Sequence, residues 1–219
     1  MLKKDTVASD MYNLIKELQN NSLFDSHILA GGTALALQIG HRTSTDIDLF
    51  TSEKQNAVLL SEYFTNNYKD IDIVFSDDHF IRVFINKVKV ELVYYEENII
   101  EKPIIEDNIK MFNINEISAM KLKAIIGRSQ PRDFIDIAFL LREIPLKKMF
   151  EFYKEKYGMV SPLLMKRALL TKSRKIKDDE WLTNIKMLRT DIRPEDVPGI
   201  IEKEIEIYNK DADIGNSGK

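Results

Sequence analysis

The stretch Ala30-Gly31-Gly32-Thr33-Ala34-Leu35-Ala36-Leu37, followed by Gly40-His41-Arg42-Thr43-Ser44-Thr45-Asp46-Ile47-Asp48-Leu49-Phe50, decides how this chain is read. The apolar run from His27 to Ala30 predicts a short strand ended by the Gly-Gly pair. Thr33 to Ile39 then predicts a helix closed by Gly40. Asp46 to Phe50 alternates with period two, the pattern of a strand with one buried face. Residues two apart on a strand point the same way, so Asp46 and Asp48 share one side while Ile47 and Leu49 enter the core. Two carboxylates spaced like this, roughly 5–7 Å apart, suit a hard divalent cation such as Mg²⁺, which takes oxygen ligands. The Gly-Gly turn lets backbone amides approach an anion, and the helix N-terminus opened by Thr33 adds a favourable dipole. Asp-x-Asp recurs at Asp70/Asp72 and Asp211/Asp213, where it reads as the wet side of a strand and a charged tail. Only at Asp46/Asp48 does a phosphate-cradling turn precede it.

Outward from this block, Met11, Leu14, Ile15 and Leu18 recur at helical intervals, and residues 71–75 alternate as a strand. Ile81 to Ile85 and Val88 to Val93 predict a hairpin turning at Asn86-Lys87. From residue 111 onward the spacing is helical, with helices expected over 114–126, 134–141, 146–156, 162–171 and 195–209. Gly127 stands where a C-terminal cap belongs, and Pro131 where the next helix begins. The expected organisation is α+β: an α/β domain over 1–110, a helical domain over 111–210, and a disordered tail over 211–219.

The composition excludes several classes of protein. The chain has 219 residues, 44% hydrophobic and 31% charged, which is the balance of an ordinary globular protein. No apolar run reaches the ~20 residues that span a bilayer, so no membrane partner is expected. The basic N-terminus lacks the apolar stretch of a signal peptide. Zero cysteines exclude disulfides, thiol nucleophiles and thiolate metal sites, and fit a cytoplasmic protein. Three histidines without HxxxH spacing argue against zinc. A net charge of −3 excludes an all-over basic nucleic-acid binder and leaves room for a local basic face.

The block from Ala30 to Phe50 resembles the AbiEii/AbiGii toxin family of nucleotidyltransferases, within the DNA polymerase β-like superfamily, whose signature is a Gly-Gly or Gly-Ser turn followed by Asp-x-Asp. The resemblance continues at Ala119-Met120-Lys121-Leu122-Lys123-Ala124 and at Arg132-Asp133-Phe134-Ile135-Asp136, and covers residues 28 to about 142. It implies a polymerase β-like fold with a small mixed sheet, Mg²⁺ dependence with two ions expected and Mn²⁺ as a substitute, and NTP as donor. Family members act as toxins of bacterial toxin–antitoxin pairs, some by adding nucleotides to the 3′ end of tRNA. The implied partners are therefore NTP, an RNA acceptor and a cognate antitoxin.

Two metals can polarise both the attacking and the leaving oxygen of a nucleotidyl transfer. Asp46 and Asp48 would hold them. The superfamily takes a third carboxylate from a neighbouring strand, for which Glu91 stands in line; a solvated hairpin glutamate is the other reading. Gly31, Gly32, Thr33 and Arg42 are the nucleotide-binding candidates near the turn, with His41 a weaker one. Lys121 and Arg128, two helical turns apart, share a face on which each can meet phosphate. Lys121 matches the family's lysine and is expected at the triphosphate. Asp133, in the first turn of the next helix, can pair Lys121 or Arg128 and position it. Lys166 to Lys177 holds six basic residues and no acidic one, as either a phosphate track or a charged helix end. Trp181 reads as core. Transfer to a small molecule, and a catalytically silent nucleotide- or protein-binding module, are the alternatives.

Overall fold

A computed structural model describes residues 1–128, 130–175 and 185–217, with side chains described through Asp211. The chain divides into two compact units, Met1–Asn113 and Ile114–Lys219.

The first unit is a seven-stranded mixed sheet with three helices. Its elements run α1 (Ser9–Gln19), β1 (Ile28–Leu29), α2 (Gly31–Ile39), β2 (Asp46–Thr51), α3 (Ala57–Asn67), β3 (Ile71–Ser76), β4 (Phe80–Ile85), β5 (Val88–Tyr94), β6 (Ile104–Glu106) and β7 (Ile109–Met111). The strand order is β3-β4-β5-β2-β1-β7-β6. Strand β2 runs parallel to β5 and antiparallel to β1. The expected hairpin forms at Asn86 and Lys87, both with positive φ (48° and 67°), the turn geometry whose twist matches a two-residue hairpin. Alternation along the strands sorts the sheet into two faces. Ile47, Leu49, Ile81, Val83, Ile85, Val90 and Leu92 are completely buried, each large side chain adding roughly 1.5–3 kcal/mol. The opposite face of β2, β4 and β5 carries the charged residues.

Helix α3 and the β6–β7 hairpin have no counterpart in the sequence reading. Exposed Val58 and Leu59 interrupt the buried set Ala57, Leu60 and Phe64, which blurs the helical period of α3. The hairpin strands are three residues each and turn at Asp107-Asn108. Asp107 accepts from Tyr12 and pairs with Lys4 and Lys16, which ties this turn to α1. Strand β7 pairs with β1 and so runs across residue 110, the expected domain limit.

The second unit is helical: α4 (Ile114–Gly127), α5 (Pro131–Glu143), α6 (Leu146–Tyr157), α7 (Pro162–Ser173) and α8 (Val197–Ser217). Pro131 opens α5 as its first residue, where its missing N–H costs nothing. Every residue of α5 from Asp133 to Leu141 is buried, so α5 is surrounded by its neighbours. Helix α6 lays Met149, Phe150 and Tyr153 inward, and α8 lays in Val197, Ile201 and Ile205. Phe150 meets Tyr208 edge-to-face at 5.2 Å. The α8 backbone continues to Ser217, into the stretch expected as a disordered tail.

Candidate active site

In the first unit the site is built where β1 gives way to α2 beside β2. Ala30 N–H donates to the Asp48 carbonyl at 2.8 Å, which holds the Gly-Gly turn against the strand. Gly31 has φ +66°, and a Cβ there would collide with Asp48 Oδ2. Glycine is required both for the backbone angle and for the close approach to the carboxylate. A Cβ on Gly32 would likewise run into Arg42 Nη2. Gly31, Gly32 and Thr33 form the first turn of α2, two residues earlier than the expected helix start. The Thr33 hydroxyl donates to the Asp46 carbonyl and bonds Ser44 Oγ at 2.8 Å, so it fastens the loop to β2. Arg42 is buried and donates from Nη1 to the Thr43 carbonyl at 2.9 Å. His41 beside it is completely buried.

The parallel pairing of β2 with β5 sets Asp46 opposite Lys89 and Asp48 opposite Glu91. The antiparallel pairing of β5 with β4 sets Arg82 opposite Glu91. All five side chains therefore share one face. Glu91, 16% exposed, is held by the Arg82 guanidinium at 2.8 Å. Lys89 Nζ lies 3.2 Å from Asp46 Oδ2 and 3.4 Å from Glu91 Oε1. Thus Glu91 is on the face where a third carboxylate is wanted, yet it is bound to cations. Among the described residues no three acidic or imidazole groups are gathered closely enough to hold a metal ion. Asp46 and Asp48 do offer hard oxygen donors beside a glycine that leaves room at Asp48, and they fit a divalent cation.

The other predicted residues lie in the second unit. Lys121 Nζ sits 2.8 Å from Asp133 Oδ1 and 2.6 Å from Asp136 Oδ2, and its side chain is only 7% exposed. Arg128 reaches the same Asp133 through Nε at 2.9 Å, with its side chain half exposed. Asp133 thus joins both predicted cations. Burial opposes its ionisation, but the charges of Lys121 and Arg128 and their hydrogen bonds outweigh that and hold its carboxyl below the ordinary carboxylate range. Lys121 is the centre of a buried ion-pair cluster rather than a cation standing in water.

Part of the basic run Lys166 to Lys177 is committed within the fold. Lys172 Nζ donates to the carbonyls of Ile125, Ile126 and Arg128 at 2.6, 3.0 and 3.3 Å and caps the end of α4. Arg174 pairs with Glu202 at 2.9 Å, and Lys166 donates to Asn209. Lys177 and Trp181 lie outside the described residues.

Sequence reasoning passed over Lys89, Arg82 and the completely buried pair Lys156–Glu116. The first two were within reach: a two-residue turn at Asn86-Lys87 pairs Phe84 with Lys89 and Arg82 with Glu91 by counting outward. Glu116 and Lys156 lie on different helices, and no local spacing joins them.

The alternation of acidic and apolar residues on β2, the Gly-Gly entry to α2 and the mixed sheet define a polymerase β-like nucleotidyltransferase fold. The solved structure of JHP933 from Helicobacter pylori has this architecture, with 20% identity, a TM-score of 0.58 and 94% of each chain covered. A second H. pylori structure is similar at 21% identity, TM-score 0.58 and 92% of each chain. An uncharacterized protein of Aquifex aeolicus (strain VF5), aq_aa25, is 27% identical over 147 residues, covering 65% of this chain and 71% of that protein. The sequence profile described as nucleotidyl transferase AbiEii toxin, type IV toxin–antitoxin system, matches residues 13–203. The chain belongs to the AbiEii family of nucleotidyltransferase toxins. Among the described residues no helix is long and apolar enough to cross a membrane.

Proposed function

We propose that this chain transfers a nucleotidyl group from an NTP to the 3′-terminal hydroxyl of an RNA, tRNA in the first instance, in a divalent-cation-dependent reaction. The observation that carries the reading is the pair Asp46 and Asp48 on one face of β2, with the carbon-free side of Gly31 against Asp48. These two carboxylates would hold Mg²⁺, with Glu91 as the third candidate; the ion's chemistry there is neutralising phosphate charge and activating the acceptor oxygen. The first turn of α2, entered through Gly31 and Gly32, offers backbone N–H groups and a positive dipole end to phosphate. Arg42, packed over Gly32, adds a fixed positive charge at the same turn. In the second unit Asp133 orients Arg128, whose half-exposed guanidinium suits a phosphate, while Lys121 holds Asp133 and Asp136 in place. RNA as acceptor and an antitoxin as partner rest on family membership, and the cytoplasm, where NTP and tRNA meet, is the expected site of action.

The test is incubation with total RNA, Mg²⁺ and each labelled NTP in turn. Label on RNA of tRNA size, abolished by chelation, is the expected result. Label on a small product instead would replace RNA by a small-molecule acceptor, and no turnover with any NTP would leave a binding module.

A further inference from the structure

On the acidic face of the first unit, the Lys89 ammonium touches two of the carboxylates. Asp46, Asp48 and Glu91 bring negative charge to that face, and Lys89 and Arg82 partly neutralise it. The two cations are held differently. Arg82 bonds Glu91 through both Nε and Nη2 at 2.8 Å and rests over the Phe80 ring at 5.1 Å. Lys89 bridges Asp46 and Glu91 by the longer contacts of 3.2 and 3.4 Å, and its side chain is 24% exposed. An ammonium on a flexible four-carbon stem is a point charge that can leave without breaking a fork of hydrogen bonds.

We infer that the Lys89 ammonium is a resident counter-cation, occupying the Asp46 oxygen that a divalent ion takes and lying beside Glu91, so that cation binding is an exchange. A Mg²⁺ ion binds oxygen at ~2.0–2.1 Å and would lie within roughly 5 Å of that ammonium if Lys89 stayed. At that range, in a partly desolvated site, like charges repel strongly, and both would compete for the same lone pairs. The exchange accounts for two facts together: Glu91 stands on the metal face, and the acidic groups are not gathered into a three-carboxylate cage while Lys89 lies among them. Lys89 is thus a positioning residue. It keeps the carboxylates from repelling one another before the ion arrives and sets the concentration at which the ion enters. This rests on the cation reading given above for Asp46 and Asp48.

Two measurements on the full chain decide it. In the first, Mn²⁺ alone is titrated into wild type, Lys89→Met, Lys89→Arg and Asp46→Asn, with free ion read by electron paramagnetic resonance. Loss of one partly exposed ion pair competing with the metal should tighten Mn²⁺ binding by Lys89→Met on the order of five- to tenfold. Lys89→Arg, which keeps the charge, should stay near wild type. In the second, wild type is briefly acylated on its lysines with and without Mg²⁺ and mapped by mass spectrometry. Lys89 should become severalfold more reactive when the ion is present, while exposed Lys87 next to it stays constant. Folded Lys89→Met that binds Mn²⁺ no tighter than wild type, with Asp46→Asn still losing the ion, overturns the exchange and leaves the metal site standing. Absence of Mn²⁺ uptake by wild type and Lys89→Met alike overturns the metal site, and the exchange with it. Should Lys89→Met not fold, the acylation of wild type decides alone, and unchanged Lys89 reactivity overturns the proposal.

Discussion

The acidic face on β2 and β5 and the ion-pair cluster of α4 and α5 use the same residue types and differ in their access to water. On the sheet, Asp46, Glu91 and Lys89 are each about one-fifth exposed, and their contacts include pairs longer than 3 Å. Between the helices, Asp133 and Asp136 are wholly buried and Lys121 nearly so, with contacts of 2.6–2.8 Å. Charges near water can exchange partners at small cost. Charges without water need every partner they have, because breaking one side leaves an uncompensated ion in the interior. The first cluster is therefore suited to receive a ligand, and the second to hold a shape around Arg128.

The largest expected effect separates the two on activity. Asp46→Asn or Asp48→Asn should lower nucleotidyl transfer at least about a thousandfold, several kcal/mol of transition-state stabilisation, while the melting temperature stays near wild type. A variant that melts much earlier would make the sheet cluster structural and erase the contrast. The next effect is on stability. Asp133→Ala should destabilise the second unit by about 3–5 kcal/mol, read by denaturant unfolding, because Lys121 and Arg128 lose the carboxylate they share. Lys121→Met should also destabilise, since it removes the ammonium that two buried aspartates share; a Lys121 variant that loses only NTP affinity would place it back among exposed phosphate ligands.

Acid sharpens the same comparison. The folded-state pKa of Asp133 lies below its ordinary value of 3.8, so its ionised pairing stabilises the protein above about pH 4 and is lost as the pH falls through the folded value. Unfolding of wild type followed from pH 6 downward should show a loss of stability only below about pH 4, and Asp133→Asn should flatten it. Smaller still, Lys172→Met removes the ammonium from the last carbonyls of α4 and should cost about 0.5–1 kcal/mol, with faster amide exchange at Ile125 to Arg128. The smallest effect belongs to the hairpin turn. Lys87→Gly relieves a positive φ and should stabilise by about 0.5–1 kcal/mol, a change in melting alone with no change in cation binding.

Much of this was legible in one dimension. The period-two runs of β2, β4 and β5 and the Asn-Lys turn locate those strands to within a residue or two, because a strand with one buried face must alternate. Among the described residues, the helices of the second unit follow from their apolar spacing and from Pro131, whereas Gly127, expected as a C-terminal cap, is the last residue of α4 and has no positive φ. Helix α3, two exposed apolar residues short of a clean period, and the three-residue strands of the β6–β7 hairpin did not declare themselves locally. The basic run at Lys166 shows the limit from the other side: a row of lysines and arginines reads as a surface, while Lys172 is spent on the carbonyls of another helix.

From the sequence alone came the Gly-Gly turn, the outward Asp46 and Asp48 and the family they point to, since each depends on neighbours a few positions away. Strand pairing and helix packing decided the rest. Pairing β5 to β2 put Lys89 between Asp46 and Glu91, and pairing it to β4 put Arg82 on Glu91. Packing α5 among its neighbours buried Asp133 and Asp136 and drew Lys121 in with them. Which charge meets which is set by distances through space. A residue's own spacing along the chain fixes the direction it faces, and only the folded neighbours determine what it finds there.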